Sequence, residues 1–173
     1  QGNMEQIWDE KSAWFFHRTE KSKENFANRL VFRLIRDRAL LQENSRILDI
    51  GCGTGRHLLE FSKHSSCLTG TDISSKMLTY AREKLSKVSD LHLLHGNWME
   101  LFQTEKEYDF VFASMTPAIS LVEHIERMCF ISKEYCMMER FVSHRDSVRE
   151  EIQEMLGRVL NRLHQNEKEY SYA

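Results

Sequence analysis

The chain has 173 residues, with 24 Lys and Arg against 26 Asp and Glu, for a formal net charge of −2 with histidine neutral. That balance argues against a duplex-binding surface or an anionic-membrane patch as the main activity, and 10 Phe with 3 Trp argue against disorder. A single Pro and 7 Gly argue against an all-β protein full of tight turns.

A chain this long buries roughly 70% of the surface it exposes when unfolded, so one domain can form without metal or disulfide staples. No apolar run approaches the ~18 residues of a membrane span. The start carries no secretory pattern, and Met4 is read as the natural start after Gln1-Gly2-Asn3. Cys52, Cys67, Cys129 and Cys136 make no C-x-x-C pair. They are expected to be reduced and mostly buried thiols of a cytoplasmic protein. No metal site is expected.

The first third reads as helical. Ile7-Trp8 and Trp14-Phe15-Phe16 are apolar clusters among charges, and Phe26, Leu30 and Leu34 recur at i, i+4. Asn44-Ser45 ends that pattern. Arg46–Ile50 is a short buried strand that runs into Gly51-Cys52-Gly53-Thr54-Gly55, and a helix follows from Arg56 to Lys63. Cys67–Asp72 is a second strand. Ser74-Ser75 caps a helix with Met77, Leu78, Ala81 and Leu85 on one face. Leu91–His95 and Tyr108–Ala113 are the third and fourth strands. Pro117 is expected to open a helix carrying Ile119, Leu121, Val122 and Ile125. Tyr135–Met138 with Phe141-Val142 makes a fifth strand, and Val148 to Leu163 a last amphipathic helix. Strands alternating with helices imply an α/β fold, a doubly wound and mainly parallel sheet flanked by helices. Ligands of such sheets bind beyond the carboxyl ends of the strands, where the glycine cluster lies.

Glycines let a ligand approach the backbone, and the helix that follows points free N–H groups at it. A dinucleotide fingerprint would put its third glycine at Arg56; here it is Gly55. The G-K-[ST] ending of a P-loop is absent. Asp72, ending the second strand, offers a carboxylate suited to a ribose diol.

The run Ile47-Leu48-Asp49-Ile50-Gly51-Cys52-Gly53-Thr54-Gly55, followed by Gly70-Thr71-Asp72-Ile73-Ser74 and Met77-Leu78, closely resembles the class I S-adenosylmethionine-dependent methyltransferases. The resemblance covers roughly Trp8 to Val142 and implies a Rossmann-like fold with S-adenosyl-L-methionine as cofactor and S-adenosyl-L-homocysteine as product. It implies that Gly51, Cys52, Gly53 and Gly55 line the methionyl part and that Asp49 helps hold the ammonium. Asp72 would take the ribose hydroxyls and Ile73 pack against adenine. Asn97 would bond the adenine amino group, Trp98 cover the ring, and Ser114 border the methionyl moiety.

Ser114-Met115-Thr116-Pro117 replaces the Asn/Asp-Pro-Pro-aromatic motif of family members that methylate amide or base nitrogens. The expected acceptor is therefore a small molecule rather than a nucleic acid, and no membrane partner is expected. Methyl transfer from a sulfonium needs alignment above all, so no catalytic residue is assigned. His17, His144, Tyr108 and Tyr135 are conceivable bases, while Arg140, His144 and Arg145 are conceivable anion contacts. Arg29, Arg33 and Arg36 read as a solvated helix face.

The domain reads as a helical lead-in over 1–44, folding as a lid, and an α/β core over 45–173. Too few residues follow the last helix for the two strands that usually finish the family's sheet. The chain is expected to be truncated or to cover its fifth-strand edge by forming a homodimer. Two further readings are a binding module without catalysis and a nicotinamide-dependent oxidoreductase, the latter opposed by Arg56.

Overall fold

A computed structural model describes residues 2–21 and 29–140. In chain order the elements are α1 (Gly2–Lys21), α2 (Leu30–Arg38), β1 (Ile47–Ile50), α3 (Arg56–Phe61), β2 (Cys67–Asp72) and α4 (Ser75–Lys84). β3 (Asp90–His95), α5 (Trp98–Leu101), β4 (Tyr108–Ser114), α6 (Val122–Ile131) and β5 (Ser132–Glu139) follow. The five strands form one sheet in the order β3-β2-β1-β4-β5, and every pairing is parallel. The order reverses between β1 and β4, which opens a crevice at their carboxyl ends.

Side chains alternate across the strands and sort into two cores. Ile47, Leu68, Phe110 and Phe112 pack with Val31, Phe32 and Ile35 of α2, Leu58 and Phe61 of α3, and Leu78 and Ala81 of α4. Leu48, Ile50, Val111 and Ala113 pack on the opposite face with Trp98, Phe102, Met128 and Ile131. β1 is buried along its whole length, as a strand covered on both faces must be. Phe32, Phe61, Phe110 and Phe112 are fully buried, and removal of any one of these rings costs about 3–5 kcal/mol.

The four central elements around the glycine loop fall where the sequence puts them, and the cap of α4 is Ser74, whose hydroxyl accepts from the Met77 N–H at 3.1 Å. Two expectations are corrected. Pro117 lies in a turn, and α6 begins only at Val122. The turn is closed by Thr116, whose hydroxyl accepts from the Ala118 N–H at 3.2 Å. β5 begins at Ser132, directly after α6, because Lys133 and Glu134 can point to solvent from an outer strand. α5 is a single turn that sequence periodicity does not register. The expected continuation of the fifth strand to Phe141-Val142 and the helix from Val148 to Leu163 lie outside the described residues, as do His144 and Arg145. No described helix is long and apolar enough to cross a membrane.

α1 lies against α4. Phe16 stacks on Tyr80 with centroids 4.4 Å apart. Asp9 Oδ1 accepts from the Ser74 hydroxyl at 2.5 Å and from the Lys76 N–H at 3.2 Å, which places a carboxylate at the amino end of α4. Glu5 meets His95 at 2.9 Å. α1 therefore borders the carboxyl ends of β2 and β3, although Trp14 remains 55% exposed.

Candidate functional site

The loop from Gly51 to Gly55 follows β1 directly, and its three glycines all have positive φ, at +67°, +54° and +75°. A Cβ at Gly51 would strike the Thr116 side chain, and one at Gly55 would lie 2.8 Å from Leu85 Cδ1 and 3.1 Å from Ala81 Cβ. Those two positions serve the protein's own packing. Gly53 differs, because a Cβ there would meet nothing within 4 Å. Open space lies in front of it.

Asp72 is tied to this loop. Its Oδ2 accepts from the Gly53 N–H at 2.9 Å and its Oδ1 from the Ser74 N–H at 2.9 Å. Each oxygen keeps a further lone pair for a hydroxyl donor. Burial pushes the Asp72 carboxyl up, against the pull of these N–H groups. The Cys52 N–H donates to Thr71 O at 3.0 Å and its carbonyl accepts from Gly55 N, so the backbone of Cys52 shapes the loop. Its thiol is buried in the core, and burial together with Asp49 and Asp72 raises its pKa well above the usual range.

Asp49 lies one step inside the sheet, opposite Gly70 and Phe112. It is 1% exposed and its Oδ2 has no hydrogen-bond partner. Burial raises its pKa well above the carboxylate range, and the charges of Asp72 and Glu139 add to the shift. An orphaned buried carboxylate oxygen beside an open loop suits a positively charged ligand group.

Sequence reasoning reached Ser114 at the far end of the site but missed its partners Glu139, His57 and Arg29. Ser114 and Glu139 are register partners at the carboxyl ends of β4 and β5, and the Ser114 hydroxyl donates to Glu139 Oε2 at 2.8 Å. His57 Nε2 lies 3.7 Å from the same oxygen and an Arg29 nitrogen 3.8 Å. Burial favours protonation of Glu139, but the nearby His57, the hydrogen bond from Ser114 and the Arg29 charge outweigh it and hold the pKa below the usual value. Burial lowers the pKa of His57 against the pull of Glu139. Arg29, expected on a solvated face, is instead paired here. The available signal was Glu139 itself, a charge ending an apolar run where parallel sheets bind ligands.

Alternation places these groups in one row. Asp72 follows Leu68 by two pleats, Asp49 follows Ile47, Ser114 follows Phe112, and Glu139 follows Met137, all on the face under α2 to α4. Neighbouring strands thus carry Asp72, Asp49, Ser114 and Glu139 along the crevice. Met115, just beyond, has φ +51° and is 39% exposed. A bulky residue in that region is strained, and such strain gathers at binding sites.

The adenine end is corrected in part. Trp98 is only 5% exposed, and its Nε1 donates to Ala118 O at 3.1 Å within the core on the opposite face. Its ring is taken up by packing and is not free to cover a base. Asn97 caps α5, accepting from Met99 N at 3.1 Å and donating to Glu100 at 3.1 Å. Ile73 is half-buried after β2, and its carbonyl contacts the His95 ring at 2.9 Å.

Residues 47–132 match the methyltransferase-domain family. The chain is 33% identical over 95 residues to the dTDP-3-amino-3,4,6-trideoxy-alpha-D-glucopyranose N,N-dimethyltransferase of Streptomyces venezuelae, a stretch covering 55% of this chain and 37% of that protein. In fold it is similar to a SAM-dependent methyltransferase from Aquifex aeolicus, with a TM-score of 0.55 at 19% identity over 75% of this chain and 76% of that one. It is also similar to a SAM-dependent methyltransferase from Thiobacillus denitrificans in complex with S-adenosyl-L-homocysteine, with a TM-score of 0.52 at 18% identity over 70% and 54% of the two chains. The curated relatives it matches are much longer than the shared stretch, which spans 30%, 37% and 23% of three of them.

Proposed function

We propose that this chain, which belongs to the class I S-adenosylmethionine-dependent methyltransferases, transfers the methyl group of its cofactor to a small-molecule acceptor. Its cofactor is S-adenosylmethionine. When bound, the cofactor supplies a methyl on a positively charged sulfur, which an acceptor's lone pair displaces in line.

The observation that carries the assignment of the site is Gly53. It is the loop glycine with open space in front of it, and it is flanked by the orphaned Oδ2 of Asp49 and by Asp72. In this reading Asp49 offers its oxygen to the ammonium group and Asp72 its remaining lone pairs to the ribose hydroxyls. Gly51, Cys52 and Gly55 hold the loop backbone in place. Ile73 packs beside the base, where α1 closes the rim through Asp9 and Glu5. Asn97 meets the adenine amino group through Oδ1, which already accepts from the Met99 N–H and keeps a second lone pair. Ser114 borders the methionyl end.

The small-molecule class rests on the near-neutral charge and on Ser114-Met115-Thr116-Pro117 in place of an Asn-Pro-Pro-aromatic motif. Similarity to the Streptomyces venezuelae enzyme covers little more than a third of that protein and so does not carry its acceptor over to this chain. Calorimetry with S-adenosylhomocysteine, with NAD as the control, tests the cofactor site. Release of labelled methyl to an organic-extractable product, against none to added RNA or protein, tests the acceptor class. Binding of NAD in preference to S-adenosylhomocysteine overturns the first reading, and label recovered on RNA or protein overturns the second.

A further inference from the structure

Lys133, Glu134, Tyr135 and Cys136 of β5 are exposed, as is Cys129 on α6, against the expectation of buried thiols. Glu139, at the carboxyl end of the same strand, is tied down instead. Its backbone carbonyl accepts from the Met115 N–H at 2.9 Å, and its Oε2 accepts from the Ser114 hydroxyl at 2.8 Å. His57 Nε2 and an Arg29 nitrogen approach that same oxygen, at 3.7 and 3.8 Å. The three side chains come from β4, from α3 and from the residue before α2, and all gather on Oε2. Among the described residues Oε1 accepts no hydrogen bond, although the side chain is only 20% exposed.

The place of Glu139 in the crevice decides what meets that oxygen. α1 borders the other end, over β2 and β3, where Asp9 holds Ser74 and Glu5 meets His95. Asp72 on β2 and Asp49 on β1 come next, and the proposed cofactor site uses both. The sheet then continues through β4 to β5. An acceptor reaches the methyl group from the β5 side, and Glu139 is the carboxylate it meets there.

Resting on that cofactor site, we propose that Glu139 binds the methyl acceptor through Oε1 and that the acceptor is an amine. The acceptor nitrogen gives up one proton to solvent, a remaining N–H donates to Oε1, and the lone pair takes the methyl carbon. The carbon–sulfur bond breaks with its electron pair left on sulfur, which becomes neutral. Positive charge passes to the nitrogen beside a carboxylate already in place, an interaction that strengthens as the transfer proceeds. Burial opposes ionisation of Glu139, but the nearby His57, the Ser114 hydrogen bond and the Arg29 charge outweigh it, so the group is a carboxylate at neutral pH. Such a carboxylate stabilises a nitrogen that turns positive. It is a poor base for an alcohol, which must lose its proton to be methylated. Burial, with the charges of Arg29 and Arg56, lowers the His57 pKa, so that ring is neutral and does not cancel the charge of Glu139.

The test uses two analogues of S-adenosylhomocysteine in which nitrogen replaces sulfur and carries a short alkyl arm, ending in an amine in one and in a hydroxyl in the other. Calorimetry at neutral pH compares them, with S-adenosylhomocysteine as the reference. The amine-armed analogue should bind roughly ten- to a hundredfold more tightly than the hydroxyl-armed one, as a hydrogen bond between charged groups provides. Glu139→Gln should bring the two arms within a few-fold of each other. The comparison in the unsubstituted protein stands if that variant fails to fold. Equal affinity for the two arms in a protein that binds S-adenosylhomocysteine, or an amine preference that survives in Glu139→Gln, overturns the proposal and leaves the cofactor site intact. Failure of S-adenosylhomocysteine to bind overturns the cofactor site, and the proposal with it.

Discussion

Replacing Gly53 and Gly55 in turn by alanine separates a ligand's requirement from the fold's. Both residues have positive φ, so an alanine at either costs about 1–2 kcal/mol of backbone strain. Restricting the unfolded chain returns about 0.4–1 kcal/mol. At Gly53 nothing else changes, because a Cβ there has no neighbour within 4 Å. Gly53→Ala should thus lose about 1 kcal/mol of stability, which for a chain of this length lowers the melting temperature by roughly 2–4 °C. At Gly55 the new Cβ lies 2.8 Å from Leu85 Cδ1 and 3.3 Å from the Ala81 backbone. Overpacking adds about 1–3 kcal/mol, so Gly55→Ala should melt distinctly earlier. Affinity should rank the other way. The Gly53 methyl occupies ligand space and should weaken S-adenosylhomocysteine at least tenfold, about 1.4 kcal/mol, in calorimetry well below the melting range. Gly55→Ala, where still folded, should bind within a few-fold of the unsubstituted protein. Unchanged affinity in Gly53→Ala would mean that the open space before the loop is not the cofactor's.

Asp72→Ala should weaken S-adenosylhomocysteine by about 1.5–3 kcal/mol for each charge-assisted bond lost; equal affinity by calorimetry would remove Asp72 from the site. His57 and Glu139 have lowered folded-state pKa values, so their contributions to stability are complete above the unfolded values of about 6.5 and 4.3 and vanish as pH falls through the folded ones. Glu139→Gln should flatten the acid side of the melting profile, and an unaltered profile would contradict the assignment. Deleting residues through Phe16 should weaken cofactor binding while melting stays cooperative, whereas loss of the transition would make α1 part of the core. A second copy is proposed to pair along β5, measurable by light scattering at micromolar concentration, and Tyr135→Lys, at a residue 40% exposed, should return such a dimer to monomer.

What could be read from the sequence was local chemistry. Asp49 to Gly55 announce a strand, a tight loop and a helix start within seven residues, and no distant contact is needed to interpret them. Ser74 as a cap and the buried face of α4 are equally local. The losses have tertiary causes. Trp98 follows a strand end, which suggests a ligand, but the carbonyl of Ala118 on a later loop satisfies its N–H and draws the ring into the core. Pro117 has the right φ to start a helix, yet Thr116 must cover Gly51, and that close approach fixes a turn there. His57, Arg29 and Glu139 come from three separate elements, and only the parallel order β1-β4-β5 brings them together.

The row of acids explains why the site is not an economical fold. Asp49 and Asp72 repel each other, Glu139 adds to the charge felt by Asp49, and burial opposes ionisation of both aspartates. For a carboxyl raised in the folded state the sign is the reverse of that for Glu139. Its ionisation costs stability as pH rises above the unfolded value of about 3.9, and the cost is complete only above the raised folded value. A core made for stability alone would place an apolar residue at position 49, where the neighbouring chain is Leu48 and Ile50. A ligand with an ammonium and a sulfonium reverses the balance, because its charges favour the ionised form that burial disfavours. Binding must then release a proton at pH values where Asp49 is protonated in the ligand-free protein but ionised in the complex, a window that lies below its raised pKa. Calorimetry of S-adenosylhomocysteine in buffers of different ionisation heat should therefore give buffer-dependent enthalpies in that window. Asp49→Asn should abolish the dependence and raise the melting temperature of the ligand-free protein. Buffer-independent enthalpies at every pH would place the ligand's positive charge away from Asp49, and would leave its orphaned oxygen without a purpose in this site.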